Sequence, residues 1–143
     1  MPTPPIFNCF LTLAFFLMLP GCSGGTSGPT RLPVSGTVTV DEEPLELARI
    51  EFHPSSGDLA NSPTAFGYVK DGKYEITEYA GAVIGPHEVI IRPIEVEELD
   101  EEAEEKVLGE FVTVAKVEES GENKFDFAFE QGEMRPDRNV EQE

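Results

Sequence analysis

Apolar and polar side chains alternate along most of this chain between residues 33 and 130. The alternation is clearest in residues 33–54, where two alternating runs are joined by a polar turn that contains a proline. A period of two residues is typical of strands that bury one face. The stretch therefore predicts a strand, a turn and a strand that together form an opening hairpin. The apolar face of the two runs consists of Val34, Val38, Val40, Ala48, Ile50 and Phe52.

Five later segments repeat this pattern between residues that favour turns. The dipeptide Asp71-Gly72 separates the first two and predicts a tight hairpin turn, because glycine tolerates the positive φ that such turns require. Val69, Tyr74 and Ile76 of this hairpin are expected to face the core. The five segments are residues 64–70, 73–77, 87–94, 110–117 and 124–130.

Three features within the strands carry more specific predictions. Segment 87–94 is apolar on both faces, as in a central strand, and Pro93 predicts that its pairing ends there. Gly36 predicts a bulge or a close approach of another backbone to the first strand. The last segment places three phenylalanines on one face, and we expect all three in the core: Phe125, Phe127 and Phe129.

Two segments break the alternation. Residues 95–109 carry apolar side chains three or four positions apart, which favours a short amphipathic helix. Eight acidic residues between Glu95 and Glu105 repel one another, however, and favour a mobile loop equally well. From Gln131 onward no apolar period exists, and residues 131–143 are predicted to be a disordered tail.

The N-terminus has the features of an export signal. Residues 6–19 form an apolar run that suits a signal-peptide core and is shorter than the roughly 20 residues of a membrane-spanning helix. The run ends in Leu19-Pro20-Gly21-Cys22, which resembles the lipobox of bacterial lipoproteins. That resemblance implies cleavage before Cys22 and a thioether-linked diacylglycerol on its sulfur, with the protein exported and held at a periplasmic or outer membrane face. An ordinary secretory signal or an uncleaved short anchor is the alternative.

Seven candidate strands with turn signals between them predict an all-β fold, a single Greek-key sandwich of the transthyretin or immunoglobulin type. The domain boundaries that follow are a signal peptide, a lipidated cysteine with a Gly/Ser-rich tether, the sandwich and the tail. They correspond to residues 1–21, 22–32, 33–130 and 131–143.

Four motifs in the predicted strands resemble those of carboxypeptidase regulatory-like domains, which have a transthyretin-like sandwich. Combined with the lipobox, the pattern resembles small lipoproteins of planctomycete-type bacteria. The resemblance covers residues 33–130 and implies a fold rather than a catalytic site. The motifs are VSGTVTVDEEPLELARIEF, DGKYEI, GPHEVII and NKFDFAF.

Composition narrows the classes of partner. A net charge of -18, from 28 acidic and 10 basic residues, argues against nucleic acid, whose binding needs clustered Lys and Arg. Both cysteines, Cys9 and Cys22, precede the predicted sandwich, so no disulfide is expected within it.

Candidate chemistry is sparse. His53 and His87 lie at strand ends and would form a catalytic or zinc site only if brought together with a third group. The third group would come from a nearby loop, which offers Ser55, Ser56 and Asp58.

Two further ligand classes are weighed against ordinary structural roles. The acidic segment 95–105 offers oxygen ligands for Ca²⁺, although it lacks the glycine and the Asp/Asn alternation of a calcium loop. The tyrosines could present aromatic faces to a carbohydrate, although Tyr74 is predicted to be in the core. They are Tyr68, Tyr74 and Tyr79.

We therefore predict a lipid-anchored envelope β-sandwich with a structural or protein-interaction role, which is not an enzyme and needs no cofactor. Its expected partners are a membrane, through Cys22, and an envelope protein or polysaccharide. The alternatives are a Ca²⁺-dependent adhesin or metal-binding protein that uses residues 95–105, and an accessory domain of a separate envelope peptidase.

Overall fold

Strands make up nearly all regular structure in residues 28–57, 61–97 and 104–138, which the computed structural model describes. Each of the seven predicted segments contains a strand, and the all-β class is confirmed. The Greek-key connectivity stays a prediction. The strands are β1 (Arg31–Leu32), β2 (Val34–Val40), β3 (Glu43–Pro44), β4 (Leu47–Pro54), β5 (Ala65–Lys70), β6 (Lys73–Ile76), β7 (Ala82–Val83), β8 (Gly85–Glu97), β9 (Glu104–Val107), β10 (Phe111–Val117) and β11 (Phe127–Phe129).

The strands form two layers that are continuous through one hairpin. Their order is β10-β8-β4-β5-β6-β2-β11, with β3 beside β2 and β9 beside β8. Strands β5 and β6 share a single register pair, Lys70 with Lys73, and beyond it they diverge into different layers. The larger layer contains β10, β8, β4 and β5, and the smaller layer contains β6, β2 and β11. Apolar faces of the two layers meet in the core, where the Phe52 ring centroid lies 6.2 Å from that of Tyr74 and 6.5 Å from that of Phe127.

The turn between β5 and β6 matches its prediction. Asp71 and Gly72 have φ values of 50° and 73°, the left-handed conformation that a tight primed turn requires. Val69, Tyr74 and Ile76 are buried, as their alternation predicts.

The predicted opening hairpin is wrong. Strands β2 and β4 do not pair, because β5 and β6 lie between them in the ladder. Instead β2 turns tightly at Asp41-Glu42 and pairs with the two residues of β3, after which the chain crosses to the other layer. Both strands still bury their predicted apolar faces. Alternation specifies the buried face of a strand but not its neighbour.

The acidic segment is neither a helix nor a loop over the residues that the structure describes. Strand β8 continues through Pro93 to Glu97 and pairs with β9 from Ile94 with Val107 onward. The Pro93 carbonyl accepts the Leu108 amide at 3.0 Å. In an antiparallel strand the N–H and C=O groups of one residue point to the same side of the strand. The position where Pro93 lacks an N–H therefore faces the side on which the partner of β8 changes from β10 to β9.

That junction is a bulge, which explains why the proline does not end the strand. Three residues, 108–110, lie opposite two residues of β8 between the pairs Ile91 with Phe111 and Ile94 with Val107. Residues 98–103, which connect β8 to β9, lie outside the described residues.

The predicted disordered tail is wrong for residues 131–138. A 3₁₀ turn spans Gln131–Glu133, and Arg135 then forms a bridge to Glu110 through two backbone hydrogen bonds of 2.8 Å. The following Asp137 is buried. Polar contacts rather than apolar periodicity hold this segment, which is why a search for apolar periods does not find it.

The three phenylalanines near the C-terminus pack against the core as predicted, although each is only partly buried. Strand β11 adds to β2 in parallel, with Phe127 beside Val38 and Phe129 beside Val40. Phe129 stacks on Phe111 of the opposite layer with ring centroids 4.8 Å apart. These rings therefore join the layers at the edge of the sandwich.

Candidate functional site

The two histidines lie on neighbouring strands but on opposite faces of the layer. His53 is opposite Glu88, and His87 is opposite Pro54. His87 is 1% exposed and packs edge-on against Phe52 in the core. His53 faces outward, where its Nε2–H donates to Glu51 at 2.8 Å. The fold therefore assembles no dyad from these two side chains.

The loop after β4 carries the candidate third groups for such a site. Ser55 and Ser56 are exposed, and Asp58 lies outside the described residues. Among the described residues, no three His, Cys, Asp or Glu side chains are grouped so that they could hold a metal ion.

The environment of His87 favours the neutral ring. Its Nδ1–H donates to the Gly85 carbonyl at 3.0 Å, and within the described residues its buried Nε2 has no hydrogen-bond partner. Burial lowers the pKa of His87 below its usual value of 6.5, and the charge of His53 acts in the same direction against the Gly85 hydrogen bond. A proton on Nε2 would be buried without an acceptor.

We expect His87 to make the fold less stable as the pH falls. The unfolded chain takes up the proton near pH 6.5, whereas the folded chain takes it up only at a lower pH, so this contribution to stability is lost below the unfolded value. Urea unfolding of the wild type should show a lower free energy at about pH 5.5 than at about pH 7.5. His87→Leu should remove that difference, and His53→Gln should keep it. An equal slope in His87→Leu would contradict the assignment.

A buried ionic cluster lies on the outer face of the larger layer, centred on Arg92 of β8. Its guanidinium is 3.0 Å from Glu51, 3.3 Å from Glu110 and 3.3 Å from Asp137. The Arg92 side chain is 8% exposed and that of Glu110 is 2% exposed. Arg138 closes the cluster with a 2.7 Å contact to Glu110.

The charges in this cluster satisfy one another. Burial by itself would raise the pKa of Glu51, but hydrogen bonds from His53 and Arg92 and the positive charge of Arg92 outweigh it, so the pKa lies below its usual value of 4.5. The C-terminal residues Asp137 and Arg138 cover the cluster, and its charged groups contact one another rather than an external ligand. We therefore assign it a structural role.

Sequence reasoning did not find this cluster. One signal was present: Arg92 is a charged residue inside the otherwise apolar run 89–94. Its carboxylate partners come from three other parts of the chain, and nothing in their local sequence marks them.

The acidic segment and the tyrosines are also separated by the fold. Glu95 and Glu105 lie on β8 and β9 and are exposed, and Glu105 accepts a hydrogen bond from the Tyr68 hydroxyl at 3.4 Å. Tyr74 is buried and donates to the Phe125 carbonyl at 2.7 Å. Tyr79 is 87% exposed in the connection between β6 and β7. The three tyrosines do not form one platform.

A groove with a volume of about 740 Å³ runs over the outer face of the smaller layer and along the edge where β5 and β6 diverge. We call it the lysine groove, because it contains three of the five lysines of the chain. It is lined by Ser35, Gly36, Thr37, Tyr68, Lys70, Lys73, Tyr74, Glu75 and Lys124.

Strand pairing places these lysines together. Lys70 and Lys73 are directly opposite each other beside the Asp71-Gly72 turn, and Lys124 lies beside Ser35 across the β2 edge. Within the described residues none of the three lysines forms a salt bridge. The groove is therefore a concentration of positive charge on a strongly acidic chain.

Comparison of the chain with protein-family models, with curated proteins and with solved structures gives no match. In residues 28–57, 61–97 and 104–138, no helix has the length and apolar character needed to cross a membrane.

Proposed function

We propose that this chain is a binding module of the bacterial cell envelope, anchored by a lipid on Cys22, and that the lysine groove is its ligand-binding surface. The observation that carries the proposal is the convergence of Lys70, Lys73 and Lys124 on one groove of a chain with a net charge of -18. Elsewhere the described arginines Arg49, Arg92 and Arg138 contact carboxylates. The groove lysines are available to an external anion.

The anchor follows from the lipobox-like sequence before Cys22, which lies outside the described residues. Eight residues, 23–30, separate Cys22 from β1 and reach at most about 29 Å when extended. Strand β1 pairs with β7 at the start of the sandwich. A lipid on Cys22 would therefore hold the start of the sandwich within about 29 Å of the bilayer surface.

A role in binding rather than catalysis agrees with how the structure uses its reactive side chains. His87 is part of the core, His53 is bound to Glu51, and the Arg92 cluster is internally paired. The all-β fold also agrees with the resemblance to carboxypeptidase regulatory-like domains, from which we carry over the fold alone.

The anchor is tested by palmitate labelling and membrane fractionation of the full chain in a bacterium that processes lipoproteins, beside a Cys22→Ala variant. We expect labelled, membrane-bound protein that loses both label and membrane association on substitution. Cys9→Ala is the matched control, because this cysteine lies inside the apolar run and should be removed with the signal. Labelling that survives Cys22→Ala, or no labelling of the wild type, would contradict the anchor.

A further inference from the structure

We infer that the lysine groove binds a carboxylate-bearing polysaccharide. The inference rests on the proposed function, which makes this groove the ligand-binding surface, and it adds the chemical class of the ligand. Three properties of the groove support it: its unpaired positive charge, its polar floor and its aromatic rim.

The charge of the groove calls for an anion. Lys70 and Lys73 form a cross-strand pair, and like charges directly opposite each other destabilise a hairpin. A carboxylate placed between the two ammonium groups would relieve that repulsion. The acidic remainder of the surface repels an anionic ligand, whereas the positive field of the lysines attracts it, so the ligand is directed to this groove.

At β2 the floor of the groove offers side-chain groups, because both backbone edges of this strand are occupied. Strand β2 pairs with β6 on one side, and on the other side Ser35 exchanges backbone hydrogen bonds with Asn123 and Phe125 at 3.1 and 2.8 Å. An acidic polypeptide could therefore not add as a strand to β2. The Ser35 hydroxyl and the Glu75 carboxylate instead offer partners for the hydroxyl groups of a sugar.

Tyr68 supplies the aromatic rim. Its side chain is partly exposed, and it is held edge-on by Phe66 at a centroid distance of 5.2 Å. The hydroxyl group of Tyr68 donates to Glu105, which further orients the ring. An oriented aromatic face beside cations and hydroxyl groups suits a pyranose ring that carries a carboxylate.

The ligand class is tested by calorimetric titration of the full mature chain, in detergent micelles, with polygalacturonate. Dextran serves as the neutral polysaccharide and poly-L-glutamate as the acidic polypeptide. We expect binding to polygalacturonate that weakens with added salt, and no binding to dextran. Poly-L-glutamate should bind at least tenfold more weakly.

The site is tested with a triple variant, Lys70→Gln, Lys73→Gln and Lys124→Gln. Exposed ion pairs contribute a factor of about 1.4 to 5 each, so we expect the triple variant to lose about tenfold or more in affinity. Replacing the same lysines with arginine should retain binding. Lys116→Gln is the matched control, since Lys116 is exposed on β10 at the far edge of the larger layer and already contacts Glu118 at 3.2 Å. Tyr68→Ala should lose a further few-fold of affinity without changing the salt dependence.

The outcomes separate the two proposals. Lysine-dependent binding to poly-L-glutamate alone would overturn the polysaccharide but leave the groove as the ligand-binding surface. If the triple variant binds polygalacturonate as tightly as the wild type, the ligand does not bind in the groove. That result would overturn both proposals. If neither polygalacturonate nor poly-L-glutamate binds, both proposals would also be overturned.

Discussion

Replacement of Arg92 by methionine is expected to lower the free energy of unfolding by about 3–5 kcal/mol at neutral pH. Methionine occupies a similar volume but leaves Glu51, Glu110 and Asp137 without the cation that lies 3.0 to 3.3 Å from each of them. Arg138 still contacts Glu110, but it is about half exposed and cannot replace a buried guanidinium. The carboxylates of the cluster would then lose the cation that they share, and their negative charge would be only partly compensated.

The matched control is Arg49→Met. Arg49 lies directly opposite Arg92 on the neighbouring strand, but its side chain is 36% exposed and its closest carboxylate, on Glu51, is 3.8 Å away. We expect a loss below about 1 kcal/mol, as for other exposed ion pairs. Urea unfolding of both variants, followed by far-UV circular dichroism, gives the comparison.

The deficit of Arg92→Met should also depend on pH. The wild type keeps Glu51 ionised below the usual pKa of 4.5, so it loses this stabilisation as the pH falls through the lowered value. In the variant Glu51 lacks the charge and the hydrogen bond of Arg92, which lower its pKa, so it is protonated more easily and then needs no cation. We expect the gap between the two proteins to be smaller at about pH 4 than at about pH 7. Equal gaps at both pH values would show that packing, rather than charge, dominates at this position.

Replacement of Gly36 by alanine is the second change with a large expected effect, about 3 kcal/mol or more. A Cβ atom at this position would lie 1.8 Å from the carbonyl oxygen of Phe125 and 2.6 Å from its carbonyl carbon. Both are backbone atoms, so no side-chain rotation can relieve the overlap. The segment that carries Phe125 would have to move away from β2.

That movement would break contacts on both sides of Phe125. Its amide donates to the Ser35 carbonyl at 2.8 Å, and its carbonyl accepts the buried Tyr74 hydroxyl at 2.7 Å. Loss of the second contact would leave a buried hydroxyl without its partner. The denaturation midpoint of Gly36→Ala in urea should therefore fall well below that of the wild type.

Gly132→Ala is the control for the glycine replacement. No atom lies within 4 Å of a Cβ built at Gly132, which is in the 3₁₀ turn, and we expect a change within about 0.5 kcal/mol. If Gly36→Ala were as mild as this control, the close approach of the two backbones would be wrong.

The strand alternation already determined which side chains enter the core. Val34, Ile50 and Phe52 are buried because a strand exposes alternate residues to opposite faces whatever its neighbour is. Gly36 likewise predicted a bulge or a close approach of another backbone, and the structure shows the close approach, by the backbone of Phe125. The Asp71-Gly72 turn was equally local, since two adjacent φ values define it.

Tertiary structure alone decided the order of the strands. The separation of β2 from β4 depends on the choice between several partners with the same alternation, and the sequence between them does not make that choice. The acidic hairpin shows the same limit, because the helical spacing of its apolar residues is overridden by pairing with β8.

The ionic cluster and the lysine groove depended most on this long-range arrangement. Arg92 meets Glu51, Glu110 and Asp137 only after β4, β8 and the C-terminal segment are brought together. The lysine groove unites residues from β5, β6, β2 and the segment before β11. The sequence by itself therefore determined the all-β class and the buried faces, because these follow from local geometry. The ionic cluster and the groove were decided by the tertiary structure, because they join side chains that are distant along the chain.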